Sequence, residues 1–475
     1  MITFELNEYS KKTLYQELYE NIKRDIISGE LKAGEKLPSK RALAAHLKIS
    51  INTIENAYSQ LVAEGYIEAR VGSGFYVESL EIAEEKTGGG LNDAVEQRQE
   101  AVLDDTVSND ILYDFRTNKV DTKDFPFSIW AKLSREILSE KKNDLLNSGD
   151  TQGIYELRYS IARYLKSFRG VEVEPEQIVV GAGSEYLLGL IVQLLGRDKA
   201  YGVENPGYKK IYQVFSANSS RVFPIPMDEK GAGVEAVSNF GLDVLHITPS
   251  HHFPLGIVMP VSRRQELLRW ADVRDDRYII EDDYDSEFRY EGRPIPPLLS
   301  MDKKGRVIYI HSFTKSLAPS MRISYMVLPK ELVRTFRSRL GFYSCTVPAF
   351  EQYTLARFMS EGYFERHINR MKKLYRQRRD ILIDCLTNGL LKDTVELSEC
   401  DAGMHILLRF KNEKKGYELV STAAKQGVRV YGLWEYYCFP EAKMSNDMIV
   451  MGFSGLNTDE IREGIRRLEQ AWIQP

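Results

Sequence analysis

The chain has 475 residues, of which 43% are hydrophobic and 28% charged, with a formal net charge of −4. That length exceeds one small core and predicts two or more domains, and the composition excludes a disordered or fibrous chain. No apolar run approaches the roughly 20 residues that span a bilayer, and the N-terminus is acidic and amphipathic rather than signal-like, which predicts a cytoplasmic protein.

Residues 12 to 78 read as helix, helix, helix, hairpin. Leu14, Leu18, Ile22, Ile26 and Ile27 repeat near a period of 3.6 and predict a first helix that Gly29 ends. Ser39 is placed to cap a second helix, KRALAAHL, and Ser50 a third, INTIENAYSQLVAEG, which ends at Gly65. Two short helices separated by a few residues predict a helix-turn-helix. The alternation and glycines of YIEARVGSGFYVE add a β-hairpin, or wing.

Residues 79 to 110 are rich in acid and glycine and poor in large apolar residues, the composition of a flexible linker. The acidic excess of the chain is concentrated there. Residues 1 to 78 carry 10 Lys and Arg against 11 Asp and Glu, so the helical segment is about neutral. A single such module would bind DNA weakly, which predicts a dimer that reads two half-sites.

From residue 111 onwards short apolar strands alternate with amphipathic helices: IVVGAGSEYLLGLIVQLL, AYGVEN, DVLHITPS, RYIIEDDY, RVIYIHSF and ISYMVL. This pattern predicts an α/β domain with a largely parallel sheet. The last hundred or so residues, with the long helix FERHINRMKKLYRQRRDILIDCL and the strands HILLRF and MIVMGFSG, predict a smaller α+β subdomain. Cys345, Cys385, Cys400 and Cys438 are widely spaced and form no CxxC pair, so free buried thiols are expected rather than a metal or disulfide framework.

Polar residues gather at the ends of the buried strands, where open α/β sheets hold ligands. Lys315 lies there with Ser312 and Thr314, and Arg322 follows. An amine able to form a Schiff base, two hydroxyls and a guanidinium suit a cofactor that carries an aldehyde and a phosphate.

The N-terminal segment resembles the GntR-type winged helix over PSKRALAAHLKISINTIENAYSQLVAEGYIEARVGSGFYV. The resemblance implies that the third helix enters the major groove of double-stranded promoter DNA while the wing rests on the backbone or minor groove. Lys40, Arg41, Asn52, Thr53 and Asn56 would then face DNA, with Ser39, Arg70 and Ser73 near phosphates. The family pattern has Arg directly after the capping Ser; here it is Ile51, which bears on base preference.

Residues 111 to 475 resemble the class I aminotransferases among the fold-type I enzymes that use pyridoxal 5'-phosphate (PLP). Lys315 matches the lysine that forms the Schiff base with the cofactor. Asp282 would pair with the pyridinium nitrogen, with Asp283 or Glu281 as competitors, and Tyr284 would bond the ring 3-oxygen. The backbone amides of Ala182, Gly183 and Ser184 would meet the phosphate, and Tyr208 would stack on the ring. Three places depart from the pattern. Gly455 stands where relatives have the substrate-carboxylate Arg, Phe253 stands where they have Asn, and PGYRR is PGYKK with Lys209 and Lys210. Arg409 is a candidate substitute anchor. Loss of a bidentate anchor would leave an amino acid poorly oriented, so efficient transamination is not expected.

Together the two segments resemble the MocR/GabR regulators, with features of the GABA-responsive members. That resemblance implies a head-to-tail homodimer holding PLP at Lys315 and DNA at its winged helices. The favoured effector is PLP itself, as in PdxR-like vitamin B6 regulators. The alternatives are a regulator responding to GABA or another amino acid, and an active PLP-dependent aminotransferase.

Overall fold

The computed structural model describes residues 14–70, 73–78 and 111–473, apart from 118, 148, 220, 292–294, 399–400, 412–415 and 440–446. The linker expected at 79 to 110, and Cys400, lie outside the described residues. The chain divides into two compact units, and each is described by itself.

The N-terminal unit holds helices α1 (Leu14–Ile27), α2 (Lys40–Leu47) and α3 (Ile51–Ala63), followed by strands β1 (Ile67–Arg70) and β2 (Gly74–Val77). Leu18, Ile22 and Ile26 of α1 meet Leu43 of α2, Ile54, Tyr58 and Leu61 of α3, and Ile67 and Val77 of the hairpin in one small core. The caps fall where the sequence puts them. Ser39 Oγ accepts from the Ala42 amide at 3.2 Å and Ser50 Oγ from the Thr53 amide at 3.1 Å, each satisfying a donor that the helix leaves unpaired. Lys48, at φ +57°, closes α2 in the left-handed region and turns the chain into α3. In the wing, Ile67 lies opposite Val77 and Arg70 opposite Gly74.

The C-terminal unit is built on an eight-stranded sheet. Its strands are β3 (Ile178–Gly181), β4 (Tyr201–Asn205), β5 (Val222–Asp228), β6 (Gly231–Ala232), β7 (Val244–Ile247), β8 (Tyr278–Asp282), β9 (Val307–Ser312) and β10 (Ser324–Val327). Their order is β3-β10-β9-β8-β7-β4-β5-β6. Strands β9, β8, β7, β4 and β5 run parallel, β10 is antiparallel to both of its neighbours, and β6 folds back on β5.

Side chains of these strands alternate between two cores. Val180, Tyr309 and Tyr325 pack with Leu157 and Ile161 on one side. Val179, Ile308, Ile310 and Met326 pack on the other with Leu187 and Ile191 of helix α4 (Ser184–Leu195). Helices therefore cover both faces, and the strands read as apolar runs because neither face meets water.

The smaller subdomain carries strands β11 (Val395–Ser398), β12 (His405–Phe410), β13 (Tyr431–Gly432) and β14 (Met448–Gly452) in the order β11-β12-β14-β13. Its core includes Tyr375, Leu382 and Leu386 from the helix Tyr363–Asn388 and Ile461, Ile465 and Trp472 from the helix Thr458–Ile473. Phe115 joins the same core, and Tyr113–Asp114 pairs in parallel with Val428–Arg429. The start of the segment thus belongs in space with its end, a long-range pairing that no local pattern announces. Cys345, Cys385 and Cys438 carry free thiols as expected, but they are only partly buried, a correction to the buried reading. No described helix is long and apolar enough to cross a membrane.

Candidate functional site

A cleft of about 200 Å³ opens at the C-terminal ends of the parallel strands, lined in part by Glu204 (β4), Thr248 (after β7), Asp282 (β8) and Ser312, Thr314 and Lys315 (β9 and the turn after it). Parallel strands end here together, so their terminal polar side chains converge without being neighbours in sequence.

The alternation of β8 decides among the three acids of EDDY. Asp282 lines the cleft, whereas Glu281 and Asp283 point into the cores. Glu281 accepts from the amides of Leu298 and Leu299 at 2.7 and 2.8 Å. Asp283 is buried with Arg169 at 2.9 Å and accepts from the Tyr309 hydroxyl at 2.6 Å. Asp282 instead has His246 Nε2 3.5 Å away, while the Tyr284 hydroxyl lies 3.1 Å from His251 Nδ1, which is also 2.8 Å from Asp285. Behind them, burial disfavours the charged form of His311, yet Glu287 and Asp283 raise it to about 9, a fixed positive charge beneath the strand ends.

Lys315 stands among these groups. Burial lowers its ammonium to about 8, against the opposing pull of Asp285 and Asp282. An amine near neutral pH is a nucleophile for an aldehyde, so capture of an aldehyde by Lys315 is expected to rise about tenfold from pH 7 to pH 9 and then level off. Stopped-flow absorbance across that range reads the profile; a midpoint near 10.4, the value of a free lysine, would contradict the assigned environment.

At one end of the cleft the hydroxyls of Ser312 and Thr314 lie 2.7 Å apart, and Ser324 Oγ donates to Ser312 at 2.8 Å. Gly183, at φ +101°, precedes α4, and a Cβ on it would stand 2.3 Å from an Arg322 guanidinium nitrogen. A side chain there would push the Arg322 guanidinium aside, and the left-handed φ itself favours glycine. The Ala182 amide donates to Thr346 Oγ1 at 2.9 Å and the Gly183 amide to the Gly181 carbonyl at 2.9 Å, so two of the three expected phosphate donors are already engaged, and Ser184 opens the helix. Tyr208 is half exposed at the cleft, edge-on to Phe253 with centroids 5.9 Å apart.

Glu185, Glu204, His246 and Thr248 also line the cleft, and sequence reasoning missed all four. Burial pushes the Glu204 carboxyl up to about 7 although it accepts from the Thr248 amide and hydroxyl at 2.9 and 2.7 Å. For Glu204, His246 and Thr248 the signal was the strand-end position itself, shared by VENP and HITP, whereas Glu185 lies in the first turn of α4.

Neither Gly455 nor Arg409 supplies a carboxylate anchor in the cleft. Gly455 does not line the cleft; it packs on Lys119, whose Cδ would stand 2.6 Å from a Cβ at that position. Arg409 alternates outward on β12, half exposed, with Asp447 3.9 Å away.

In the N-terminal unit, Ser39, Arg41, Asn52, Asn56, Arg70 and Ser73 are exposed, and Lys40 and Thr53 partly so. Lys40 is bound to Glu55 at 2.6 Å and lies over the Phe75 ring; Arg70 pairs with Glu68 and lies over Tyr76. Exposed pairs of this kind hold each other by about 1 kcal/mol or less and yield readily to phosphate. Thr53 Oγ1 is 2.8 Å from Ser50 Oγ, and Ser73 Oγ is 2.7 Å from the Tyr76 hydroxyl.

Residues 14–77 match the model of the gntR family of bacterial regulatory proteins, and residues 111–468 match aminotransferase class I and II. Full-length similarity joins both halves in single proteins. The chain is 38% identical to the HTH-type transcriptional regulator YdeL of Bacillus subtilis, over 99% of both chains. It is 32% identical to the probable rhizopine catabolism regulatory protein MocR of Rhizobium meliloti, over 97% of this chain and 94% of that one. The chain belongs to the MocR-type transcriptional regulators. Another such regulator, the pyridoxine biosynthesis regulator PdxR of Corynebacterium glutamicum, is 30% identical over 98% and 97% of the two chains. A kynurenine aminotransferase of Pyrococcus horikoshii superposes on 83% of this MocR-type chain and 96% of its own, with 27% identity and a TM-score of 0.67. The protein is therefore a DNA-binding transcriptional regulator whose large domain has the fold of a PLP-dependent family.

Proposed function

We propose that this regulator holds PLP at Lys315 and that PLP is its effector, acting in a cytoplasmic homodimer with one winged helix per subunit. The carrying observation is the cleft's donor set. A lysine amine near neutrality, a carboxylate at a strand end and a cup of hydroxyls with Arg322 stand together, and Gly183 leaves the space that the cup requires. The residues fit the cofactor. When bound, PLP would supply an aldehyde that condenses with the Lys315 amine.

Each side chain then has a task of its own. Asp282, with His246 beside it, would hold a proton on the ring nitrogen, Tyr284 would bond the ring oxygen, and Phe253 and Tyr208 would pack on the ring. Ser184, Ser312, Thr314 and Arg322 would hold the phosphate, with the amides of Ala182 and Gly183 shaping the cup. Among the described residues that line the cleft, the cations are Lys210, Lys315 and Arg322, and the first and last close on Glu185. Little is left to anchor an amino-acid carboxylate, which favours the cofactor itself as the signal.

The reading predicts which compounds change DNA affinity. Cofactor-free protein on its promoter is expected to respond to PLP, and the PLP-loaded protein to show no further change with a panel of amino acids that includes GABA. Fluorescence anisotropy with labelled promoter DNA reads both. A response that requires an amino acid on top of PLP would contradict PLP as the effector and favour the amino-acid alternative.

A further inference from the structure

At the phosphate end of the cleft the two remaining cations are held by one acid. Glu185 is the second residue of α4, and its carboxylate accepts from Lys210 Nζ on one oxygen at 2.9 Å and from Arg322 on the other at 2.8 Å. Arg322 also donates to the Ala182 carbonyl at 3.3 Å, so its guanidinium bridges Glu185 and the turn that precedes the helix. Partial burial pushes the Glu185 carboxyl up, but Lys210, its own amide and Arg322 outweigh burial and hold it at about 2, ionised throughout the physiological range. An anion already occupies the place where helix end and guanidinium favour an anion.

We propose that Glu185 is a built-in competitor for the cofactor's phosphate, an acidic side chain that engages Arg322 and Lys210 until a phosphate ester displaces it. The proposal rests on the reading of the cleft as a PLP site. A dianionic phosphate that enters the cup meets a carboxylate bound to the same cations, and like charges on shared partners repel unless one withdraws. Breaking the Glu185 pairs sets a cost on every phosphorylated ligand and none on a ligand without phosphate. The consequence suits a sensor. Weakened phosphate capture keeps occupancy dependent on the free concentration of the cofactor, whereas an unopposed cup would retain it permanently.

The opposite role is equally concrete. If Glu185 merely orients Arg322 for the phosphate, removing its charge would weaken PLP rather than strengthen it. Titration of cofactor-free, full-length protein with PLP and with pyridoxal, read by visible absorbance, separates the two. Glu185→Gln keeps the shape and removes the charge. It is expected to bind PLP about tenfold more tightly, the size of one partly exposed charge interaction. Pyridoxal affinity is expected to stay within about twofold, since pyridoxal has no phosphate to compete. Glu185→Ala is expected to shift PLP in the same direction, and inorganic phosphate to compete with PLP more strongly in both variants. Unchanged or weaker PLP binding in Glu185→Gln, or an equal gain for pyridoxal, would overturn the proposal. Absence of any absorbance change with either aldehyde in the unmodified protein would overturn the cofactor reading beneath it instead.

Discussion

Lys315→Ala is expected to remove the visible absorption of the PLP-loaded protein completely and to let the cofactor dialyse away. The Lys315 amine is placed just after the end of β9 among groups that suit a ring nitrogen, a ring oxygen and a phosphate. Without it, only the non-covalent contacts of the cup and the Asp282 side chain remain. Counted merely as the loss of one charge-assisted contact of about 3 kcal/mol, the substitution lowers affinity roughly 100-fold. The fold should tolerate the change, because Lys315 sits in a turn at the cleft wall rather than in either core flanking the sheet. Absorbance after dialysis, with far-ultraviolet circular dichroism as a control for folding, checks both statements. Retention of the absorption band in a folded Lys315→Ala protein would move the attachment point to another lysine.

Arg41→Ala is expected to lower promoter affinity about 100-fold while leaving PLP binding unchanged. Arg41 is exposed as the second residue of α2 and, among the described residues, enters no ion pair of its own, unlike Lys40 and Arg70. A charged contact to a phosphate is worth about 1.5 kcal/mol or more, roughly tenfold, and a homodimer on two half-sites loses it twice. The loss should be nearly independent of base sequence, and the slope of log affinity against log salt should fall by about 1 for each phosphate contact removed. Asn52 and Asn56, exposed on α3, would instead show base-specific losses. Normal promoter affinity in Arg41→Ala would contradict the placement of the α2–α3 face on DNA.

Much of this was legible from local signals. Ser39 and Ser50 cap helices because a side-chain oxygen at that position satisfies an amide that the helix leaves free, and the wing follows from alternation and glycine. The sequence left Glu281, Asp282 and Asp283 as alternatives, and the structure separates them because a strand alternates faces, so one acid of three meets the cleft. The surroundings of Gly455 were not legible for the complementary reason. It follows β14, and where the chain goes after a strand depends on packing against residues over three hundred positions away, here Lys119. Glu185, Glu204 and His246 were missed because each lies in a different strand–helix unit, and only the parallel sheet brings them together.

That convergence matters for how the two halves of the chain divide their work. A ligand moves a protein between two states only through a difference in its affinity for them. On the proposed reading, the large domain would discriminate one phosphorylated aldehyde and the winged helix would carry the output. The measurement that tests this most directly is promoter binding by cofactor-free protein with and without added PLP, beside the same pair for Lys315→Ala. The expected result is a PLP-dependent displacement of the binding curve in the unmodified protein and superimposable curves in the variant. Coincident curves in the unmodified protein would contradict PLP as the signal.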